Sequence, residues 1–298
     1  MSRSIPWDSI ETFLAVMRHG SLSAAGRVLR LAQPTVRRHI EKLEAALGAP
    51  LFTRAPGGLV PTDAAHRLLP YAETMGGAAA AMRRSAQDED GGVAGTIRLS
   101  CSEIMAIEVV PYLLGPLMQA HPLLEVELVA SNTPDDLLRR DADIAVRMMR
   151  PTQVGLVARK IGDIPLGLYA SPTLLKTLPA PRSLADLIDR ARLIGQDRET
   201  IIVDALAALG VAGTPRFVIR SDNDAAQLAA VRAGLGIGIC QRPLAMHDAR
   251  LHPVLPDLNM SIDCWLAMHE DLRAQPRARA VFDHLAAALS AYLNHGLP

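Results

Sequence analysis

At 298 residues the chain exceeds one comfortable hydrophobic core and has room for two or three domains. Hydrophobic residues make up 49% and charged ones 21%, which excludes a disordered or fibrous chain; with 3% aromatics, the core must rest on Leu, Val, Ile, Ala and Met. The net charge is zero but uneven: residues 1–62 hold eight Lys and Arg against four Asp and Glu, a local +4, so any contact with a polyanion is confined to that end.

In chain order, Trp7, Ile10, Phe13, Leu14 and Met17 recur at helical spacing and predict a first helix ending at His19-Gly20. Ser21 or Ser23 can cap a second helix, whose small apolar face is Ala24, Ala25, Val28 and Leu29. Leu31-Ala32 makes a turn, and Gln33-Pro34 opens a third helix, since proline is tolerated in the first turn where its N–H is not needed. Val36, Ile40, Leu43 and Leu47 form the buried stripe of that helix, and Gly48 ends it.

The opposite face of the third helix carries Gln33, Thr35, Arg37, Arg38 and Lys42. A charged face can simply be solvated. Here the charge is almost purely basic in the first two turns, where cations oppose the helix macrodipole. An external anion would explain that placement, and DNA supplies one: Arg reaches guanine O6/N7 or a phosphate, and Gln reads adenine. Pro-Gly-Gly at 56–58, between LFTR and LV, predicts a hairpin beside the helix pair, with Arg54 on it.

Thr62-Asp63 then caps a long helix. Ala64, Leu68, Tyr71, Met75, Ala78 and Met82 step by 4, 3, 4, 3, 4, a heptad seam suited to pairing with a second helix, although one amphipathic helix packed on its own domain gives the same pattern. Pro70 should bend this helix, and Gly76-Gly77 permit close approach. The polar, Gly-rich run 87–95 marks a domain boundary.

From Thr96 short apolar runs alternate with helical stretches. Strands are predicted at 96–100, 125–130, 143–147, 155–161, 165–170, 192–195, 216–220, 236–240 and 263–268, with helices including 183–190, 198–209, 222–235 and 276–293. Alternation of this kind means an α/β fold, mainly parallel, with helices on both faces. Nine strands suggest two sheets of four or five joined by crossover strands, with a small-molecule cleft between them.

Cys101, Cys240 and Cys264 are scattered outside any CxxC spacing, which fits a reducing cytosol and argues against a zinc site. The first 13 residues lack an apolar core of signal-peptide length, and no apolar run approaches the ~20 residues of a membrane span. A soluble cytoplasmic protein without contact to the membrane is expected. The nine histidines show no HxH or HxxxH spacing, and no Ser-His-Asp set, GxSxG or paired catalytic carboxylates can be argued, so neither enzyme activity nor a metal or cofactor is expected. The glycines of Gly234-Leu-Gly-Ile-Gly238 leave a helix and enter a strand, the reverse of a dinucleotide site.

The run FLAVMRHGSLSAAGRVLRLAQPTVRRHIEKLEAALGAPLFTR resembles the winged helix-turn-helix of LysR-type transcriptional regulators. The likeness rests on Phe13, Gly20-Ser21, Ala24-Ala25, Gln33-Pro34, Ile40, Leu43-Glu44, Leu47-Gly48 and Leu51-Phe52-Thr53-Arg54, and more loosely on TIRLSCS, ADIAVR, LYASP and AGLGIGICQRPLA. It implies a winged helix-turn-helix over 1–62 and a dimerising linker helix over 63–90. A two-lobed α/β effector domain resembling periplasmic binding proteins would follow over 91–298, with lobe I at 96–164 and 267–298 and lobe II at 165–266. By resemblance Gln33, Pro34, Thr35, Arg37 and Arg38 enter the major groove of operator DNA, with Lys42 on the same face, and Arg54 reaches the minor groove or backbone. The linker helix would pair two subunits and the effector domains would pair again into a homotetramer. Arg37 departs from the family pattern, which has a small residue there, and Ala65 replaces a common glycine.

The effector is expected to be a small molecule, a small organic acid by charge class, bound at strand ends facing the cleft. Ser100, Cys101, Ser102 and Glu103 end the first strand and lead into a helix start that favours an anion. Glu103 opposes a carboxylate unless it turns away, and Arg147 could supply the missing charge. Gln196, Ser221, Asn223 and Cys240 end strands of the other lobe, where Ser221 or Asp222 could equally be an ordinary helix cap. Cys240 and Cys264 could form a redox switch, as in one branch of the same family; buried cysteines more often act as small hydrophobes. A small-molecule-binding protein that keeps a degenerate helix-turn-helix only for dimerisation is the rival reading.

Overall fold

The computed structural model describes residues 5–55, 58–85, 92–132, 142–152, 155–177, 181–190, 192–198 and 216–297. The predicted helix at 198–209 lies outside them except for its first residue. The chain forms two compact units, one built on Met1–Gln87, the other on Asp88–Pro134 and Asp143–Pro298.

The first unit opens with α1 (Trp7–His19), α2 (Leu22–Leu29) and α3 (Gln33–Leu47). Gly20 ends α1 in the left-handed region that glycine enters without penalty. The Ser21 side chain accepts from the Ala24 N–H at 3.1 Å and so caps α2, as the sequence suggested. Gly48, also left-handed, ends α3. Ile10, Phe13, Leu14 and Val16 of α1 close over Ala25, Val36, Ile40 and Leu43 to make the core. Val28, expected on the buried face of α2, is 58% exposed, because that short helix turns only Ala25 and Gly26 fully inward. A Cβ on Gly26 would lie 2.7 Å from the Leu31 carbonyl oxygen, so α2 and the turn can approach this closely only without a side chain there.

Strands β1 (Phe52–Ala55) and β2 (Gly58–Pro61) pair antiparallel as the predicted hairpin. Helix α4 (Asp63–Ser85) follows, with Pro70 inside it. Thr62 caps it: its hydroxyl accepts from the Ala65 N–H and donates to the Pro50 carbonyl at 2.8 Å, tying the helix start to the hairpin. Ala65 and Ala72 are buried, and a Cβ on Gly76 would stand 3.0 Å from Leu14. Thus α4 lies against α1 by its small-residue face. The heptad seam is a different stripe: Tyr71, Met75 and Met82 are 72, 46 and 70% exposed.

The second unit contains strands β3 (Gly95–Cys101), β4 (Leu124–Ala130), β5 (Ile144–Arg147), β6 (Leu156–Ala170), β7 (Leu193–Gly195), β8 (Phe217–Arg220), β9 (Gly238–Gln241), β10 (His252–Val254) and β11 (Met260–His269). Its helices are α5 (Glu103–Glu108), α6 (Val110–Ala120), α7 (Pro172–Thr177), α8 (Leu184–Arg190), α9 (Asp224–Arg232), α10 (Arg242–Ala245) and α11 (Pro276–His295). Seven strands form one hydrogen-bonded ladder in the order β10-β6-β11-β5-β3-β4, with β9 also on β6, and β7 and β8 form a separate parallel pair.

Two expectations are corrected. The strands read at 155–161 and 165–170 are one strand of 15 residues, β6, which passes from one lobe to the other. The β6–β11 register shifts between Lys160 and Gly162, opposite Cys264 and Trp265, and this irregularity lets the strand run on through Gly162. The sheet is also parallel only in part: β3–β4, β3–β5 and β7–β8 are parallel, whereas every pair involving β6 or β11 is antiparallel. The long crossing strands β6 and β11 are therefore the spine from which both lobes grow. Helix α11 covers the sheet through Ala278, Val281, Phe282, Leu285, Leu289 and Tyr292.

Candidate nucleic-acid interface and effector cleft

The helix-turn-helix presents a basic face. Val36, Ile40 and Leu43 anchor α3 in the core, leaving Gln33, Pro34, Arg37, Arg38 and Lys42 exposed and Thr35 half-buried. Arg37 Nε lies 3.6 Å from Glu41 on the next turn, an exposed pair of little energetic weight that a stronger anion can displace. Among the described residues neither Arg38 nor Lys42 makes an ion pair. A bond from His39 holds this face in place. The hydroxyl of Thr12, itself buried, donates to the Asp8 carbonyl at 2.6 Å, so His39 Nδ1, 2.9 Å away, is the donor to it.

Glu44 holds the wing. Its carboxylate accepts the N–H groups of Leu51 at 2.7 Å and Phe52 at 3.2 Å, so the last turns of α3 and the first strand of the hairpin are fixed to each other by charge-assisted bonds. Sequence reading gave Glu44 only a place in a pattern. The signal that could have revealed its role was an acid next to the apolar stripe, with a backbone segment in need of acceptors seven residues on. The Arg54 side chain lies outside the described residues; its backbone pairs with Leu59 in the hairpin.

In the second unit the residues expected around the cleft separate into two groups. Ser100, Cys101, Arg147 and Cys240 are buried. Arg147 donates from Nη2 to Ser100 Oγ at 2.8 Å and from Nη1 to the carbonyl of its neighbour Val146, so two of its three guanidinium nitrogens are held by the sheet. Burial pushes the Cys101, Cys240 and Cys264 thiols up to about 12. Thiols held protonated in this way are poor nucleophiles and poor redox sensors. The Cys240 thiol donates to the Gln241 carbonyl, and Gln241 in turn accepts the Tyr292 hydroxyl at 2.6 Å.

Glu103 and Asn223, 120 residues apart, do come together. Asn223 is the N-cap of α9, in place of the expected Ser221 or Asp222: its Oδ1 accepts the Ala226 N–H at 2.7 Å. The same side chain donates from Nδ2 to Glu103 Oε2 at 2.5 Å, linking the start of α5 to the start of α9. The Glu103 N–H goes to Asn132 Oδ1, and Ser221 Oγ accepts the Asn223 N–H. Gln196 is half-buried at the end of β7. Asp222, beside Asn223, accepts the N–H groups of Asp197 and Arg198.

A second tie between the same two helices was not read from the sequence. Arg232 of α9 makes a bidentate pair with Glu108 of α5, at 2.6 and 2.7 Å, and also bonds Asp248 at 2.8 Å. The bond from Arg250, helped by Arg232, holds the Asp248 carboxyl down at about 2. Nothing in the spacing of 108, 232, 248 and 250 announces this cluster, because it exists only once α5 and α9 pack together.

A winged helix-turn-helix with an exposed basic third helix, followed by a two-lobed α/β unit, defines a DNA-binding protein with a ligand-binding domain. Residues 7–66 match the family described as bacterial regulatory helix-turn-helix protein, lysR family, and residues 90–290 match the LysR substrate binding domain. The chain belongs to the LysR family of transcriptional regulators. It is 28% identical over 181 residues to the Mau operon transcriptional activator of Paracoccus denitrificans, 59% of this chain and 64% of that one. It is 27% identical over 256 residues to the transcriptional activator AmpR of Rhodobacter capsulatus, covering 82% of each. Over the Mau activator and the Pseudomonas aeruginosa regulator PtxR, the match spans about three fifths of their length. Full-length CbnR in complex with its target DNA shares the fold, with TM-score 0.64 and 20% identity over 95% of this chain and 99% of that one. So does the Vibrio cholerae virulence activator AphB, with TM-score 0.61 and 22% identity over 95% and 99%. No described helix is long and apolar enough to cross a membrane.

Proposed function

We propose that this protein is a sequence-specific, operator-binding transcriptional regulator acting in the cytoplasm, controlled by a small-molecule effector in the cleft between its two α/β lobes. The observation that carries the reading is the face of α3: Gln33, Arg37, Arg38 and Lys42 exposed around a fully anchored apolar stripe. An exposed basic helix held this firmly suits a major groove better than a module kept only for dimerisation. Gln33, Pro34, Thr35 and Arg37 would meet base edges, Arg38 and Lys42 phosphates, and Arg54 the backbone or minor groove beside them.

The domain limits that support this reading are 1–62 for the DNA reader, 63–90 for the linker and 91–298 for the effector domain. Within the last, lobe I would be 96–164 with 267–298, and lobe II 165–266. The exposed Tyr71-Met75-Met82 seam would pair two copies, and effector domains would pair them again. Ser102, Glu103, Gln196, Ser221 and Asn223 would line the cleft; Ser100, Cys101, Arg147 and Cys240 would support it from the sheet. The effector would be a small organic acid, with Glu103 engaged by Asn223 beside it.

Binding of an upstream DNA duplex, followed by fluorescence anisotropy against salt, tests the assignment. Arg38→Ala should weaken binding on every sequence and lower the salt slope by about 0.9, one phosphate contact. Arg37→Ala should instead change which bases are preferred. Unchanged affinity and slope in Arg38→Ala would remove α3 from the interface.

A further inference from the structure

We propose that Arg30, in the turn of the helix-turn-helix, is a DNA-backbone contact that this chain keeps although it destabilises the turn. The proposal rests on the DNA-reading assignment of α3 given above.

All three helices of the first unit end in a residue in the left-handed region: Gly20 after α1, Arg30 after α2 and Gly48 after α3, with φ of 70, 56 and 70°. That conformation turns the chain out of the helix while a following N–H still bonds back to it. After α2 the bond runs from the Leu31 N–H to the Gly26 carbonyl at 2.8 Å. Glycine enters the left-handed region without penalty, whereas a Cβ crowds the backbone there. Arg30 and Leu255 are the two non-glycine residues with positive φ among those described. An arginine at position 30 therefore carries a strain that glycine would not.

Nothing inside the fold offsets that strain. The Arg30 side chain is exposed, and among the described residues it makes no hydrogen bond, ion pair or ring contact. Its charge stands at the C-terminus of α2, which suits the helix dipole, but beside an eight-residue helix and in solvent that gain is small and screened. The neighbourhood is cationic as well. Residues 21–40 contain Arg27, Arg30, Arg37 and Arg38 and no Asp or Glu, and all four arginines are exposed. A strained, exposed cation among cations points to an anion from outside the chain. Gln33, which opens α3, is three residues on, no more than about 11 Å along the chain. The major groove is about 12 Å wide and walled by phosphates, so a cation this close to a helix start in the groove reaches one of its walls. A phosphate contact there carries no sequence information; it sets how α3 sits in the groove.

The test uses the full chain and two labelled duplexes, one from upstream of its gene and one of the same composition in shuffled order, followed by fluorescence anisotropy against salt. Hydrogen exchange at the core amides of α2 and α3 reads the stability of the first unit in the same proteins. Arg30→Gly should slow that exchange, since the strain is relieved. It should nevertheless bind both duplexes roughly five- to tenfold more weakly at about 0.1 M salt, with a salt slope lower by about 0.9. Arg30→Lys, which keeps the charge, should hold the wild-type slope. Unchanged affinity and slope in Arg30→Gly would make Arg30 a helix cap alone and overturn the proposal. A loss confined to the upstream duplex overturns it too, since that is base reading. Exchange that is not slowed in Arg30→Gly overturns it through the strain argument. Wild type binding neither duplex overturns it through the assignment of α3 instead.

Discussion

Glu44 shows how much one side chain decides. It accepts two backbone N–H groups from the start of the wing, and one of those belongs to the fully buried Leu51. Removing the acceptor leaves donors without partners, a cost of about 1–3 kcal/mol. Glu44→Ala should therefore speed hydrogen exchange at the Leu51 and Phe52 amides by a factor matching that loss, while Glu44→Gln, which keeps an acceptor oxygen, should retain most of the protection. Equal protection in wild type and Glu44→Ala would mean that the hairpin is held by packing alone. The exposed basic face of α3 was legible because its signal is local: cations in the first turns of a helix with an apolar stripe behind them. Glu44 was not legible in the same way, since its partners are set by how the chain folds back after Gly48.

Among the elements, α4 was read for its apolar spacing, and the structure adds which stripe does what. The small residues Ala65, Ala72 and Gly76 lie toward α1, whereas Tyr71, Met75 and Met82 are left exposed. Large apolar side chains in a heptad row, unpartnered within their own unit, are what a paired helix requires. A Tyr71→Glu, Met82→Glu double variant should shift the full chain toward a smaller species in light scattering without loss of helix content; an unchanged mass would place self-association elsewhere. The strand β6 teaches the opposite lesson. Its two apolar runs read as separate strands, yet pairing with β11 over ten residues joins them into one. Propensity is a weak prior when a long partner strand is available.

For the whole molecule, the order of units could be read from composition: a basic end, a seam, a Gly-rich boundary and alternating strands and helices. The lobe-to-lobe contacts could not, because Glu103 with Asn223 and Glu108 with Arg232 are separated by more than a hundred residues. Those contacts join α5 to α9 at both ends of their packing. The proposed regulator reads DNA sequence through α3 as a paired molecule. In vitro selection from random duplex DNA with the full-length protein tests it most directly. Wild type should enrich a two-fold-related pair of half-sites, and Arg37→Ala should enrich a motif altered at a base in each half. Recovery of no common sequence by the wild-type protein would contradict it.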